Sequence, residues 1–308
     1  MLIVQKFGGS SIADGDRLRR AAGICMRQRQ NGNEVVVVVS AMGDTTDLLA
    51  DRARMLGGKP SPREMDALIT TGEQQSAALL VMTMESLGMP AVSLAGWQAG
   101  IYTDCRYGDS DIRLIAPVRI REALSRGKVP VVTGFQGVCA AGDITSLGRG
   151  GSDTTAVALA AALESDCCEI YTDVDGIYTA DPRLIQEAVK LDAIDYRDML
   201  ALAEAGSQVL HAKSVELAMA NSVVIHLLSS FNDAPGSQVR ALRDGSRPDF
   251  AGITRSRTSG EISLAGKAAD AAALSRAVLL LAAEGIEVLS GSVGDGRISV
   301  LVKEEEQP

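Results

Sequence analysis

The sequence predicts an α/β protein in which helices sandwich a mainly parallel sheet, followed by a small α+β domain. Three observations indicate this class. An apolar strand pattern at residues 2–7 leads through a glycine- and serine-rich loop into a helix. Residues 35–39 are five consecutive valines, which is typical of a strand buried on both faces. Strand and helix patterns then alternate as far as residue 228, so ligands are expected at the carboxyl ends of parallel strands.

The remaining elements of this first part follow from hydrophobic spacing. A helix from Asp14 or Asp16 to Arg29 carries apolar side chains three and four residues apart. Further strands are predicted at 91–94, 129–133, 169–172 and 223–228. Further helices are predicted from residue 47 and over 61–85, 112–126, 153–164, 198–206 and 212–221. The segment Thr71-Gly72-Glu73 is either embedded in the 61–85 helix or breaks it.

Turn residues predict where the first domain ends. The segments 232–236 and 244–248 are rich in glycine, proline, aspartate and serine, so they bracket a boundary between a domain at 1–245 and a domain at 250–308. The second domain is expected to contain a strand, a helix and two strands, at 261–264, 268–284, 286–291 and 297–302.

Charge and cysteine content argue against several classes of protein. The net charge of −9 disfavours nucleic acid and anionic membranes as partners. A membrane-spanning run and a leader pattern are not found, which predicts a cytoplasmic protein. The five cysteines form no CxxC pair, so reduced thiols are expected. The two histidines lie far apart, which gives little support to a zinc site or a Ser-His-Asp hydrolase.

The most informative motif is Ser146-Leu-Gly-Arg-Gly-Gly-Ser-Asp153, where a loop becomes a helix. Ser152 or Asp153 can cap the first helical turn, and free backbone N–H groups there can face an anion. Arg149 can bind a carboxylate or phosphate through two parallel hydrogen bonds. The alternative is a capped helix after a glycine turn, with no ligand.

A second motif is Lys6-Phe-Gly-Gly-Ser-Ser11, which places a lysine at the end of the first strand. A phosphate could rest on the following N–H groups, with Lys6 supplying positive charge. The alternative is an edge lysine before a turn. The phosphate-loop pattern GxxxxGK[ST] and the dinucleotide pattern GxGxxG are both missing.

Three further groups of polar residues follow predicted strands or interrupt helices. Thr46 could donate to a ligand carboxylate, or it could cap the helix that follows. Glu73 could pair with a ligand ammonium group, or it could be solvent-exposed. Asp173 and Asp175 alternate on an extended segment and share a face, where they could touch a ribose or organise Mg²⁺ indirectly; turn capping is the alternative.

Together and in this order, these motifs resemble the aspartate kinases of the amino-acid kinase family. The resemblance covers about residues 1–240 and rests on the ordered set rather than on any single motif. It includes the two glycine-rich motifs above, Ser40-Ala-Met-Gly-Asp-Thr-Thr-Asp47, Thr71-Gly72-Glu73, Gly96-Trp-Gln-Ala-Gly100, Gly134-Phe-Gln-Gly137, the segment 171–183, and Val209-Leu-His211.

The resemblance implies a role for each matching residue. The implied catalytic residues are Lys6, Asp153 and Arg149. The implied substrate-binding residues are Thr46, Glu73, Arg149 and Ser152. The implied ATP-binding residues are Lys6, Phe7, Gly8, Gly9, Thr172, Asp173, Tyr178 and Arg183. The cofactors implied are ATP and Mg²⁺, the metal being held mainly by the ATP phosphates, with no protein ligand assigned to it.

The activity implied is ATP-dependent phosphorylation of the β-carboxylate of L-aspartate to 4-phospho-L-aspartate, the first step towards lysine, threonine and methionine. The alternatives are a related kinase of the same superfamily that uses another small acid, and a catalytically idle regulatory subunit. Residues 250–308 resemble an incomplete, single ACT regulatory module. A partial module exposes sheet edges, so a homodimer or higher oligomer through this region is expected.

Overall fold

The computed structural model describes residues 1–256 and 260–303. The chain divides into two units. The first unit consists of Met1–Asp175 and Val223–Pro235. The second unit consists of Gly176–Ser222 and the described part of Gly236–Pro308. The predicted division at residue 245 into a catalytic and an ACT-like domain stays a prediction.

Strands and helices alternate through the first part of the chain. In order they are β1 (Leu2–Phe7), α1 (Gly15–Gln30), β2 (Glu34–Val39), α2 (Thr45–Met55), α3 (Pro62–Ile69), α4 (Thr71–Ser86), β3 (Ala91–Leu94), β4 (Ile101–Thr103), β5 (Ile112–Ile115), α5 (Val118–Ser125), β6 (Val129–Thr133), β7 (Gln136–Cys139), β8 (Ile144–Ser146), α6 (Gly151–Leu163) and β9 (Cys167–Thr172).

The later elements contain shorter strands. In order they are β10 (Ile177–Tyr178), β11 (Lys190–Leu191), β12 (Ala193–Ile194), α7 (Tyr196–Glu204), α8 (Ala212–Asn221), β13 (Ile225–Ser229), β14 (Ser237–Val239), β15 (Gly252–Arg255), β16 (Glu261–Ala265), α9 (Ala271–Ala283), β17 (Val288–Gly294) and β18 (Arg297–Val302). Short 3₁₀ turns lie at Gly9–Ile12 and Asp244–Ser246.

A parallel sheet forms the core of the first unit. Its strand order is β13–β9–β1–β2–β6–β3, and every neighbouring pair is parallel. The five valines of β2 are fully buried. Val35, Val37 and Val39 pack with α1 and α4, and because side chains alternate along a strand, the other two valines face the opposite layer. The predicted mainly parallel sheet with helices on its faces is confirmed.

Helix boundaries agree with local capping chemistry at several positions. Asp14 accepts a hydrogen bond from the backbone N–H of Arg17 and so begins α1, and Asp270 caps α9 in the same way. The predicted helix at 61–85 is broken into two helices at the segment Thr71-Gly72-Glu73, because α3 ends at Ile69 and α4 begins at Thr71. This break places Glu73 in the first turn of α4.

A second, smaller sheet in the first unit was not predicted. Its order is β5–β4–β7–β8, with β4 and β7 parallel and the outer pairs antiparallel. The predicted helix over 112–126 is wrong at its start, because residues 112–115 pair with β4 and α5 begins only after Pro117. A residue before proline avoids the helical conformation, which explains the late start.

This smaller sheet also carries a disulfide. Cys105 and Cys139 are bonded, with Cα atoms 5.3 Å apart, a separation usual for such a bridge. The prediction that all cysteines are reduced is therefore wrong for this pair. Their separation of 34 residues in the sequence gave no spacing signal.

The second unit contains shorter parallel and antiparallel pairings. Strands β12 and β14 are parallel, and β10 pairs antiparallel with β11. A four-stranded antiparallel sheet has the order β15–β16–β18–β17, and α9 packs against β17 and β18. Among the described helices of the whole chain, none combines the length and hydrophobicity needed to cross a bilayer.

Candidate active site

A cavity of about 210 Å³ opens in the first unit where β1, β2 and β6 end. Six of the predicted site residues lie in its wall, so the strand tips bring these side chains together in one place. The residues lining it are Lys6, Ser40, Thr46, Glu73, Phe135, Gly148, Arg149, Gly150, Gly151, Ser152 and Asp153.

An ion pair joins two of the predicted catalytic residues. The Nζ atom of Lys6, near the end of β1, lies 2.6 Å from Oδ1 of Asp153 in the first turn of α6. Both side chains are largely buried, with exposed fractions of 11% and 16%. The carboxylate near the helix N-terminus is favoured by the helix dipole, and it holds the ammonium group at the edge of the cavity.

Glu73 is a buried carboxylate facing the cavity, so the exposed alternative is wrong. Its residue exposure is 3%. The backbone N–H of Ala41 donates to its Oε1 atom at 3.0 Å, whereas Oε2 has no hydrogen-bond partner among the described residues. Burial raises the pKa of Glu73 to about 7, and the backbone N–H groups of Glu73 and Ala41 offset part of that increase. An ammonium group would satisfy both the charge and the unpaired oxygen.

Arg149 occupies a turn between two glycines in the left-handed region. Gly148 has φ +70° and Gly150 has φ +73°, a conformation that glycine adopts without steric cost. No carboxylate of the described residues pairs with the Arg149 guanidinium, so it is available to an anion in the cavity. The predicted capping of α6 by Ser152 or Asp153 is wrong, because Gly150 occupies the cap position and no side chain caps the helix.

The walls near Arg149 are built from closely packed backbone. A Cβ atom on Gly134 would lie 2.8 Å from the Ser152 side chain, and one on Gly151 would lie 2.8 Å from the Phe135 ring. Phe135 itself has φ +67°, which is uncommon for a bulky residue, and its N–H donates to Thr155. Glycine at these two positions is therefore required by space.

The predicted nucleotide residues of the first unit lie at the carboxyl ends of β1 and β9 or directly after them. The Phe7 ring is fully buried and stacks on Tyr171 with centroids 4.9 Å apart, so its side chain belongs to the core. The N–H of Gly8 donates to the Tyr171 carbonyl at 3.2 Å, while a Cβ on Gly9 would lie 2.6 Å from the Ala41 carbonyl oxygen. The Thr172 hydroxyl donates to Asp173 at 3.0 Å.

Two predicted nucleotide residues belong to the second unit. Tyr178 lies in β10 opposite Lys190 of β11. Arg183 is exposed, and its Nε atom donates to Asp181 at 3.0 Å. Both of these contacts lie within the second unit.

Sequence reasoning missed Asp66, a buried aspartate in α3. Its carboxylate accepts hydrogen bonds from the N–H and hydroxyl of Ser146, at 2.9 and 2.7 Å, and from the N–H of Gly108 at 2.9 Å. It thereby fixes the end of β8, three residues before Arg149. Ser40 and Phe135 were also not singled out as site residues, although both lie in motifs that carry the resemblance.

Fold and site together define an α/β protein with a cavity at the strand tips that is lined by charged side chains. Comparison with known proteins agrees with this class. Residues 1–229 match the sequence model of the Amino acid kinase family. The chain belongs to this family.

The relatives found are aspartokinases. The aspartokinase of Mycolicibacterium smegmatis is 49% identical over 269 residues, which cover 86% of this chain and 64% of that protein. The aspartokinase of Geobacillus stearothermophilus is 50% identical over 78% of this chain and 59% of that protein. The chain therefore spans less than two thirds of the length of these curated relatives.

Solved structures show the same fold. E. coli aspartokinase III in complex with aspartate and ADP superposes with a TM-score of 0.77 at 25% identity, over 99% of this chain and 79% of that chain. Aspartate kinase from Synechocystis superposes with a TM-score of 0.71 at 38% identity, over 98% of this chain and 52% of that chain.

Proposed function

We propose that this chain catalyses the ATP-dependent phosphorylation of the β-carboxylate of L-aspartate, giving 4-phospho-L-aspartate and ADP. One observation carries the proposal. A single cavity contains a paired lysine, an unpaired arginine and a buried glutamate with a free oxygen. These charges match a substrate that carries two carboxylates and one ammonium group. The aspartokinase relatives and the aspartokinase III complex with aspartate and ADP support the choice of substrates.

In the proposed complex the acceptor is held at both ends. Arg149 binds a carboxylate of aspartate through its planar guanidinium, and Ser152 donates beside it. Glu73, with Thr46 nearby, binds the α-ammonium group. This pairing keeps Glu73 ionised, because a cation close to a buried carboxylate lowers its pKa again.

The chemistry requires stabilisation of charge rather than a general base. The aspartate β-carboxylate is already ionised at neutral pH and can attack the γ-phosphorus directly. The obstacle is the repulsion between this carboxylate and the polyphosphate. Lys6, held by Asp153 at 2.6 Å, supplies fixed positive charge where the phosphoryl group transfers.

The residues assigned to ATP binding are supported by different kinds of observation. Lys6 lines the cavity, and Gly8 and Gly9 follow it closely in the chain. Thr172 ends the neighbouring strand and Asp173 comes directly after it, whereas the buried Phe7 offers only its backbone. The assignment of Tyr178 and Arg183 to ATP rests on the resemblance. Magnesium, when bound, supplies further positive charge to the phosphates. Among the described residues, no group of three or more His, Cys, Asp and Glu side chains is arranged to hold a metal ion.

A coupled ADP-release assay over a panel of small carboxylic acids tests this function. We expect turnover with L-aspartate and little with N-acetylaspartate or N-acetylglutamate, because Glu73 needs a free ammonium group. Arg149→Lys should raise the KM for aspartate by roughly 10- to 100-fold, since a bond to a charged group contributes about 1.5–3 kcal/mol. The KM for ATP should change little.

Arg119→Lys provides the matched control, because Arg119 is an exposed arginine on α5. Turnover with another acid in preference to aspartate would favour the related small-acid kinase. A complete lack of ADP release with every acid would favour the idle subunit.

We also propose that the second unit mediates association into a homodimer or higher oligomer. Strand β17 lies at one edge of the four-stranded sheet, where backbone groups invite pairing with another chain. Leu279 and Leu280 of α9 are each 70% exposed, and Leu289 and Val293 of β17 are also exposed. Light scattering at micromolar concentration should give at least twice the monomer mass, and Leu280→Glu should lower it. A monomer mass for the unsubstituted chain would contradict this assembly.

A further inference from the structure

A disulfide joins the 104–111 loop to the end of β7. Cys105 is exposed in that loop, whereas Cys139 is buried at the strand end. The other three cysteines, Cys25, Cys167 and Cys168, are not bonded. We propose that Cys105 and Cys139 form a reversible thiol–disulfide site that controls the position of Arg149. The proposal rests on the proposed function in one respect, the role of Arg149 in binding aspartate.

The exposure of the bridge at Cys105 favours a reversible role over a permanent one, because exposed disulfides have higher reduction potentials than structural ones. One of the two sulfur atoms belongs to an exposed residue, so a small thiol or disulfide can reach it. A purely structural bridge would gain from having both partners buried.

The exchange needs an oxidant that we assign to low-molecular-weight disulfides such as oxidised glutathione. The Cys105 thiolate attacks one sulfur of that disulfide, and the first glutathione thiol leaves. Cys139 then attacks the mixed disulfide, and the second glutathione thiol leaves. The protein loses two electrons and two protons, and one glutathione disulfide becomes two thiols. A dithiol reductant reverses both steps.

The loop is tied to the strand that leads to Arg149. The N–H of Ser110 donates to the Ser146 carbonyl at 2.9 Å. The N–H of Gly108 donates to Asp66 at 2.9 Å, and the same carboxylate oxygen accepts the Ser146 N–H at 2.9 Å. The position of the loop therefore determines the position of the end of β8.

The loop also packs against the residue before Arg149. A Cβ atom on Gly148 would lie 2.5 Å from Oδ1 of Asp109 and 3.3 Å from the carbonyl oxygen of Gly108. With the bridge closed, the loop is anchored at Cys105 and supports the turn that carries Arg149. With the bridge reduced, the loop keeps its hydrogen bonds and ion pairs but loses its covalent link to β7. Reduction should therefore weaken aspartate binding more than it slows phosphoryl transfer.

The test uses the full chain equilibrated with either oxidised glutathione or dithiothreitol. Alkylation under denaturing conditions should label three cysteines in the oxidised protein and all five in the reduced protein. The KM for aspartate should rise by about 5-fold or more on reduction, which is the lower end of typical coupling between sites. The kcat should change less than KM.

Two variants separate the bridge from general thiol effects. Cys105→Ser should show the higher KM in both redox conditions. Cys167→Ser, which replaces a half-buried cysteine outside the bridge, should keep the full response of KM to reduction.

Five labelled cysteines after treatment with oxidised glutathione would overturn the bridge. Correct labelling with an unchanged KM would overturn its control of Arg149. A protein that labels as expected but releases no ADP with aspartate in either state would instead contradict the proposed function.

Discussion

Replacing Lys6 with alanine is expected to lower kcat by about 10²- to 10³-fold, the usual cost of removing one positioned group that stabilises transition-state charge. Lys6 Nζ lies 2.6 Å from Asp153, and it lies close to Gly8, where a Cβ would be 3.6 Å away. The charge is therefore fixed before the substrates arrive. Because it acts on the transferring phosphoryl group, kcat should fall far more than either KM rises. Steady-state kinetics of ADP release measure both.

The substitution also leaves the Asp153 carboxylate without its cation, which could lower stability. The double variant Lys6→Ala/Asp153→Asn removes that unpaired charge and should regain stability without regaining turnover. Lys128→Ala, at an exposed lysine, is the matched control for loss of positive charge. A near-normal kcat for Lys6→Ala in a folded protein would remove Lys6 from the mechanism.

Glu73→Gln is expected to raise the KM for aspartate by roughly 100-fold while changing the KM for ATP little. Losing one partner of a buried charge pair costs about 3 kcal/mol, which corresponds to this factor. In the unsubstituted protein the KM for aspartate should also rise as the pH falls below about 7, because protonation of Glu73 removes the anion. The variant should lack this pH dependence. Initial rates across pH test both statements.

The same variant should be more stable than the parent protein above neutral pH. The pKa of Glu73 is about 7 when folded, above its ordinary value of 4.5. A raised carboxyl pKa means that the folded state binds the proton more tightly than the unfolded state does. The free energy of unfolding therefore falls as the pH rises from 4.5 to about 7. From about pH 5 to about pH 8 the loss is about 2–3 kcal/mol. Glutamine carries no charge, so the Glu73→Gln variant does not lose this stability as the pH rises.

Urea unfolding of the ligand-free protein at the two pH values measures this difference. Glu85→Gln is the control, because Glu85 lies on the same helix but is exposed. A Glu73→Gln variant that binds aspartate normally, or whose stability relative to the parent protein is the same at both pH values, would contradict the role given to the buried carboxylate. Improved stability with weakened binding would show that this residue is kept for its ligand.

The parts of the fold that could be predicted are those encoded by local pattern. The run of valines at 35–39 specifies a doubly buried strand without reference to any partner. Strands β4, β7 and β8 were missed because they are three or four residues long and exist only through pairing with distant segments. The start of β5 was mistaken for a helix for the same reason.

In the candidate site, too, residues in local motifs could be predicted and residues defined by distant contacts could not. Lys6, Glu73 and Arg149 were predicted because each lies in a motif with its own chemical signature. Asp66 could not be predicted, since its partners lie 42 and 80 residues away and nothing in an amphipathic helix distinguishes a buried aspartate. The Cys105–Cys139 bridge was missed because sequence spacing does not reveal contact across a sheet.

The glycine positions that have no room for a side chain limit how this protein can change its choice of acceptor. Gly151 lies in the wall of the cavity and Gly134 packs behind Ser152 of that wall, so a side chain at either position would displace Phe135 or Ser152. New acceptor specificity can therefore evolve only through the few side chains that project into the cavity, because the backbone around them keeps its shape. A ligand entering this space meets closely packed backbone between the charged side chains, so an inhibitor designed for it faces a target whose backbone walls have little room to move.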